Sequence, residues 1–188
     1  MTLDPDSKQK PATNRKPAAG RAAQAEHLEE DRLAHLVRYV ARGLTRSLQI
    51  RLAEHDVQFG SWVFLRILWE DDGLTQRELA ERAGLMQSTT HTALLKLEGQ
   101  GYLTRRHPEG DRKKLLVFLT EQGHAARDVL QPLAEEVNHA SVEGLSEDAV
   151  QQLRQALLTM ARNLDADEQR ALEDGQGVPA TRGRSSHI

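Results

Sequence analysis

Cysteine is absent from all 188 residues. That absence removes disulfides, thiolate metal sites and redox sensing through a thiol together. Aromatic residues are nearly as scarce, at two tryptophans, two tyrosines and three phenylalanines, and the hydrophobic fraction is 38%. Such a composition describes a soluble, helix-leaning chain, long enough for one domain with a proper core or a small domain with helical extensions. No apolar run approaches the ~20 residues needed to cross a bilayer. The opening stretch MTLDPDSKQKPATNRKPAAG lacks the apolar core of a secretion signal, so the cytoplasm is the expected compartment and no membrane partner is expected. Catalytic signatures are missing too: there is no nucleophile–base arrangement, phosphate loop, paired-carboxylate motif or nucleotide fingerprint. Neither an enzyme nor a cofactor is expected. The eight histidines, His27, His35, His55, His91, His107, His124, His139 and His187, are scattered, with none of the paired spacing of zinc proteases or zinc fingers. They read as solvated surface groups, a metal site shared between two copies being the one arrangement left open.

The net charge of −3 looks wrong for a nucleic-acid partner until it is mapped along the chain. Between Met86 and Thr120 six basic residues (Lys96, Arg105, Arg106, Arg112, Lys113, Lys114) oppose three acids (Glu98, Glu109, Asp111). Between Glu121 and Asp174 twelve acids oppose four arginines. A locally positive element on an acidic chain suits a phosphate-facing surface, with the acidic half turned away.

That positive element sits in the stretch from Leu74 to Thr120. Thr75 followed by Glu78 is a capping box, so a helix starts there. Leu79, Ala80 and Ala83 give it an inward face, and Gly84 ends it. Ala80 is small enough to let a second helix cross closely. The second helix is predicted from about Gln87 to Gly99, with Thr90, Ala93, Leu94 and Leu97 inward and Gln87, Ser88, Thr89, His91, Thr92 and Lys96 elsewhere. Its outer face is short, polar and rich in hydroxyls, which suits a helix lying in a major groove. Leu95 is the odd residue on this helix. It either meets a thymine methyl or packs on a neighbouring helix, and packing is the preferred reading. Tyr102 to Arg106 and Lys114 to Leu119 read as two strands around the turn Pro108-Glu109-Gly110-Asp111, decorated by Arg105, Arg106, Arg112, Lys113 and Lys114.

At these residues the chain resembles the multiple-antibiotic-resistance regulator (MarR) family of winged-helix transcription factors. The resemblance spans roughly Leu28 to Leu164. Its most specific part is DRKKLLVFLTEQG from Asp111 to Gly123, where an acid, a basic pair, alternating apolar residues, Leu-Thr and then Gly follow in order. It implies a wing whose acidic and basic residues, here Asp111 and Arg112, order the tip and send an arginine toward the minor groove. A second arginine is usual where this chain has Lys113, which cannot make the same forked contact; either Arg112 or Lys113 enters the groove. Some members of the family sense oxidants through cysteine, a route closed to this chain.

The expected fold is therefore mostly α with a small β wing, a winged helix-turn-helix inserted between long dimerisation helices. Residues 1–25 read as a disordered basic arm carrying Pro5, Pro11 and Pro17; the preferred reading is a plain extension, the sharper one an arm making nonspecific phosphate contacts. Residues 26–57 read as a dimerisation helix, with Leu33, Leu36, Val37, Val40, Leu44, Leu48 and Leu52 at helical spacing. Residues 58–120 form the winged lobe, opened by the nearly all-apolar helix FGSWVFLRILWE. Residues 121–166 hold two C-terminal dimerisation helices, the second capped by Ser146, and residues 167–188 a disordered tail. The stripes of the long helices lack partners within so small a chain and are expected to be buried against a second copy. The resemblance implies the same: helices intertwined across a two-fold axis.

On the second helix Trp62, Leu65, Arg66 and Trp69 share a face. Taken singly the tryptophans read as core and Arg66 as paired with an acid such as Glu70 or one from the first helix. An arginine between two indoles is also what a planar carboxylate would need. Because the family binds effectors between its dimerisation helices and its winged lobe, the resemblance implies an effector site at Trp62, Arg66 and Trp69, with His35, Arg38 and Arg42 from the first helix. The expected protein is a sequence-specific regulator of double-stranded DNA, a homodimeric repressor of a pseudo-palindromic operator, released by a small organic anion. A winged helix used as an architectural or protein-interaction module without an effector is the rival reading.

Overall fold

A computed structural model describes residues 32–107 and 114–177. Its elements, in order, are α1 (Leu33–Ala53), α2 (Phe59–Glu70), β1 (Leu74–Thr75), α3 (Gln76–Ala83), α4 (Gln87–Gly99), β2 (Leu103–Arg106), β3 (Leu116–Leu119), α5 (Glu121–Ser141) and α6 (Glu147–Glu173). The architecture is mostly helical with one small antiparallel sheet of strand order β1-β3-β2. The arm expected over residues 1–25 and the turn Pro108-Glu109-Gly110-Asp111 with Arg112 and Lys113 lie outside the described residues.

The chain divides into two compact units, Met1–Arg42 and Gly43–Ile188. This boundary falls inside α1. Leu48 and Leu52, in the second half of α1, join the core of the larger unit and are 8% and 0% exposed. In the smaller unit Leu33, Leu36, Tyr39 and Val40 are exposed.

The core of the larger unit is centred on α2. Ser61 to Leu65, Ile67 and Leu68 are all buried, as expected for a helix with almost no polar face. Asp72 caps the sheet beside it: its Oδ1 accepts the Leu119 backbone N–H at 2.9 Å. Thr75 and Glu78 form the predicted capping box, with Thr75 N donating to Glu78 Oε2 at 2.7 Å and Glu78 N to Thr75 Oγ1 at 3.2 Å. The Thr75 hydroxyl also donates to Glu78 Oε2 at 2.7 Å, and this bond first, then the one from Thr75 N, holds the Glu78 carboxyl below its ordinary value. Gly84 ends α3 at φ 61°, a left-handed conformation that side chains with a Cβ resist. Ala80, 3% exposed, lies where α3 and α4 pack.

Two features depart from the sequence pattern. Leu74 and Thr75 form a third strand, β1, paired with Val117 and Leu116; two residues are too few to show a period. The tail expected from residue 167 is helical to Glu173. Same-face pairs continue the helix there, Arg170 to Asp167 at 3.3 Å and Gln169 to Glu173 at 3.2 Å, and the glycine-rich composition begins only beyond Asp174. α6 starts at the Ser146 cap, whose Oγ accepts from Ala149 N at 3.2 Å. None of its residues is buried, and Leu153, Leu157, Leu158, Leu164 and Leu172 are 43–55% exposed.

Candidate nucleic-acid interface

α4 is held by its inner face. Thr90, Leu94 and Leu97 are buried, and Thr90 satisfies its hydroxyl by donating to Met86 O at 3.1 Å. Gln87, Ser88, Thr89, His91 and Thr92 are exposed together on the other side, a run of hydroxyl, amide and imidazole groups. Thr92 Oγ1 donates back to Ser88 O at 3.1 Å. His91 is not simply solvated, because its Nδ1 lies 3.1 Å from Gln76 Oε1. Gln76 Nε2 donates to Gln87 O at 3.5 Å, which leaves its Oε1 as the acceptor and makes Nδ1 the donor. Nε2 of His91 then remains for an outside partner. Gln76, which the sequence pattern did not single out, thus ties the start of α3 to the exposed face of α4. Leu95, expected to pack on a neighbouring helix, is 46% exposed; it sits on the outer face, beyond reach of the core.

Lys96 is half-buried and lines an open groove of about 560 Å³ with Gln49, Asp56, Gln58 and Phe59. The two adjacent arginines of β2 part company, since neighbouring residues of a strand face opposite ways. Arg105 faces inward, and its Nε donates to Glu98 Oε2 at 2.9 Å while Nη2 bonds the same oxygen. Glu98 is held below its ordinary carboxyl value chiefly by this hydrogen bond. Arg106 faces outward, its guanidinium over the Phe118 ring. Lys114 is exposed beside it, with its carbonyl 3.0 Å from His107 Nδ1. Of the expected contact residues, Asp111, Arg112 and Lys113 lie outside the described residues.

Trp62, Arg66 and Trp69 are brought together. The indoles meet edge to face with centroids 5.4 Å apart, and Trp69 Nε1 donates to Gly123 O at 2.9 Å. With Glu70 they form one wall of a cavity of about 240 Å³, whose opposite wall is Arg127, Gln131, Ala134, Glu135 and Asn138 of α5. That second wall was expected from His35, Arg38 and Arg42. Those residues lie exposed on the first half of α1, while α5 is anchored in the core of its own unit by Leu130 and Val137. The expected pair between Arg66 and Glu70 is not formed. Arg66 makes no hydrogen bond or ion pair among the described residues, whereas Arg127 donates to Gln131 at 2.9 Å. Arg127 and Gln131 were not legible as pocket residues, since their α5 positions read as a solvated face.

Among the described residues no group of histidine and acid side chains is placed to hold a metal ion, and no helix is long and apolar enough to cross a membrane. A short helix, a tight turn, an exposed polar second helix and a two-stranded basic hairpin closed by a third strand define a winged helix-turn-helix protein. Comparison with known proteins agrees: residues 60–115 match the MarR family model. The organic hydroperoxide resistance transcriptional regulator of Bacillus subtilis is 28% identical over 138 residues, covering 72% of this chain and 90% of that protein. Among solved structures, a putative MarR family regulator from Listeria monocytogenes complexed with a 26-mer DNA superposes with a TM-score of 0.64 at 22% identity, covering 79% of this chain and 99% of that one. The Mycobacterium tuberculosis MarR family protein Rv2887, in complex with salicylic acid, gives 0.58 at 22% identity over 70% of this chain and 97% of that one. Over residues 60–115 the chain is thus similar to the MarR family.

Proposed function

We propose that this protein is a MarR-type transcriptional regulator, a cytoplasmic homodimer that binds a pseudo-palindromic operator in double-stranded DNA as a repressor, and that a small organic anion releases it. The observation that carries the DNA reading is the exposed face of α4, where Gln87, Ser88, Thr89, His91 and Thr92 lie together, on a chain whose wing strands also expose Arg106 and Lys114. Side chains of this length and polarity read base edges, and exposed cations meet phosphates. The exposed leucines of α6 and of the first half of α1 support a second copy as the partner, and a two-fold dimer would present two α4 helices to major grooves about one turn apart. The DNA-bound Listeria relative supports the same mode. Fluorescence anisotropy with the chain's own upstream DNA and a scrambled duplex tests it. His91→Ala and Thr92→Ala should change sequence preference, and Arg112→Ala should weaken binding and its salt dependence. Equal affinity of the wild type for both duplexes would refute it and favour the architectural reading.

The effector reading rests on Arg66, which lines the cavity together with Trp62 and Trp69 and has no acid partner among the described residues. At about 240 Å³ the cavity is smaller than the roughly 300–1,000 Å³ of drug-sized sites, which favours a single-ring acid. The salicylic acid bound to the Mycobacterium relative is of that class. The Trp69 bond to Gly123 connects the cavity to the root of the wing, so a ligand that displaces the indole would bias the lobe. A hundredfold release needs about 2.7 kcal/mol of coupling. Aromatic acids titrated into the operator complex should release wild type and fail with Arg66→Met. Equal release from both would place the effector elsewhere.

A further inference from the structure

The guanidinium carbon of Arg106 lies 4.1 Å from the centroid of the Phe118 ring. The two residues are diagonal neighbours on the outward face of the wing sheet, since Arg106 pairs with Leu116 and Phe118 with Thr104. The ring also lies close against Gly73. A Cβ built there would fall 2.6 Å from Phe118 Cε1 and 3.1 Å from Cζ, and the residue stands at φ +79°. Glycine is therefore required twice over, for its backbone and for the space it leaves. Phe118 thus contacts both Gly73, in the turn before β1, and Arg106, at the end of β2. Arg106 makes no ion pair or hydrogen bond among the described residues, in contrast to its neighbour Arg105, which Glu98 neutralises.

We infer that Phe118 is a positioning residue for the DNA contact, holding the Arg106 guanidinium ordered and unneutralised for a duplex phosphate. The inference rests on the DNA-binding reading proposed above. An exposed arginine samples many rotamers and loses that freedom when it grips a phosphate; a ring that already holds the guanidinium flat removes part of the loss before DNA arrives. An acid partner would order the side chain equally well but would cancel the charge the phosphate needs. The aromatic face orders it and leaves the charge whole.

The test is operator binding by the full-length protein, measured by anisotropy over a range of NaCl for wild type, Phe118→Leu, Phe118→Tyr, Arg106→Gln and the Phe118→Leu/Arg106→Gln double variant. Phe118→Leu should weaken binding about 2- to 5-fold per subunit, the worth of an exposed cation–π contact, with the salt slope retained. Phe118→Tyr should bind as wild type. Arg106→Gln should lower the salt slope by about one per subunit, and adding Phe118→Leu to it should change nothing further. The Arg106 Nε–H resonance of the wild type, which reads the stack without DNA and without a variant, should carry a ring-current shift. The inference is overturned if that shift is absent, if Phe118→Leu binds as wild type, or if it costs the same with and without Arg106. A wild type that binds no duplex selectively fails at an earlier step and overturns the DNA-binding reading as well.

Discussion

Gly123→Ala should destabilise this protein, although a glycine-to-alanine change inside a helix normally gains up to about 1 kcal/mol. Gly123 is the third residue of α5 and is buried. A Cβ there would meet Tyr102 O at 2.0 Å, Tyr102 C at 3.1 Å and Leu119 Cδ2 at 3.0 Å. The nearest of these is backbone and cannot rotate away. An ordinary carbon–oxygen approach is about 3.3 Å, so β2 and α5 would have to separate by about 1.3 Å. Three hydrogen bonds span that seam: Thr120 N to Tyr102 O at 3.0 Å, Thr120 Oγ1 to Gly101 O at 2.6 Å, and Gln122 Nε2 to Gln100 O at 3.3 Å. At a net ~0.5–1.5 kcal/mol each, their loss less the helix gain leaves a destabilisation of roughly 1–4 kcal/mol. For a chain of this size that lowers the melting midpoint by about 2–15 °C. The control is Gly43→Ala in α1, where nothing lies within 4 Å of the added Cβ and the helix gain should appear alone. Both variants are melted without DNA at equal protein concentration, because the proposed dimerisation would make the midpoint concentration-dependent. A Gly123→Ala variant as stable as wild type would refute the close approach of β2 to α5.

Three further outcomes are expected. Glu98, held below its ordinary value by Arg105, contributes stability that is present above the unfolded carboxyl value of about 4.3 and is lost as pH falls through its lower folded value. Glu98→Gln should cost about 1–3 kcal/mol near neutrality by orphaning the half-buried Arg105 and should flatten the acid limb of urea midpoint against pH; an unchanged limb would count against the pair. Thr75→Ala removes the acceptor for Glu78 N and should cost about 0.5–2 kcal/mol, read by urea denaturation, with no loss contradicting the capping box. Leu153→Asp with Leu157→Asp, placed in the exposed stripe of α6, should shift sedimentation toward monomer; a wild type already monomeric at working concentration would remove the dimer.

How much of this was legible in the sequence depended on the range of the interaction that decides each feature. Local patterns sufficed for the winged helix: the Thr75–Glu78 box, Gly84, the Ser146 cap and the apolar spacing of α2 and α4 each act within one or two turns of chain. The polar outer face of α4 was readable for the same reason, as was the pairing of Trp62 with Trp69 on one helix face. Features made between distant segments were not. Arg105 and Arg106 are chemically identical neighbours, and only the sheet turns one onto Glu98 and the other onto Phe118. Arg66 and Glu70 have the spacing of a helix pair, yet the fold sets Arg66 into a cavity whose other wall is α5, more than sixty residues away along the chain. Gln76 reaches His91 only because α3 and α4 cross, and the two-residue β1 exists only because β3 lies alongside to bond it. The chain alone determined which segments are helices and which faces they bury; the tertiary structure decided which charges are cancelled and which remain available, because neutralisation is a property of pairs brought together from afar.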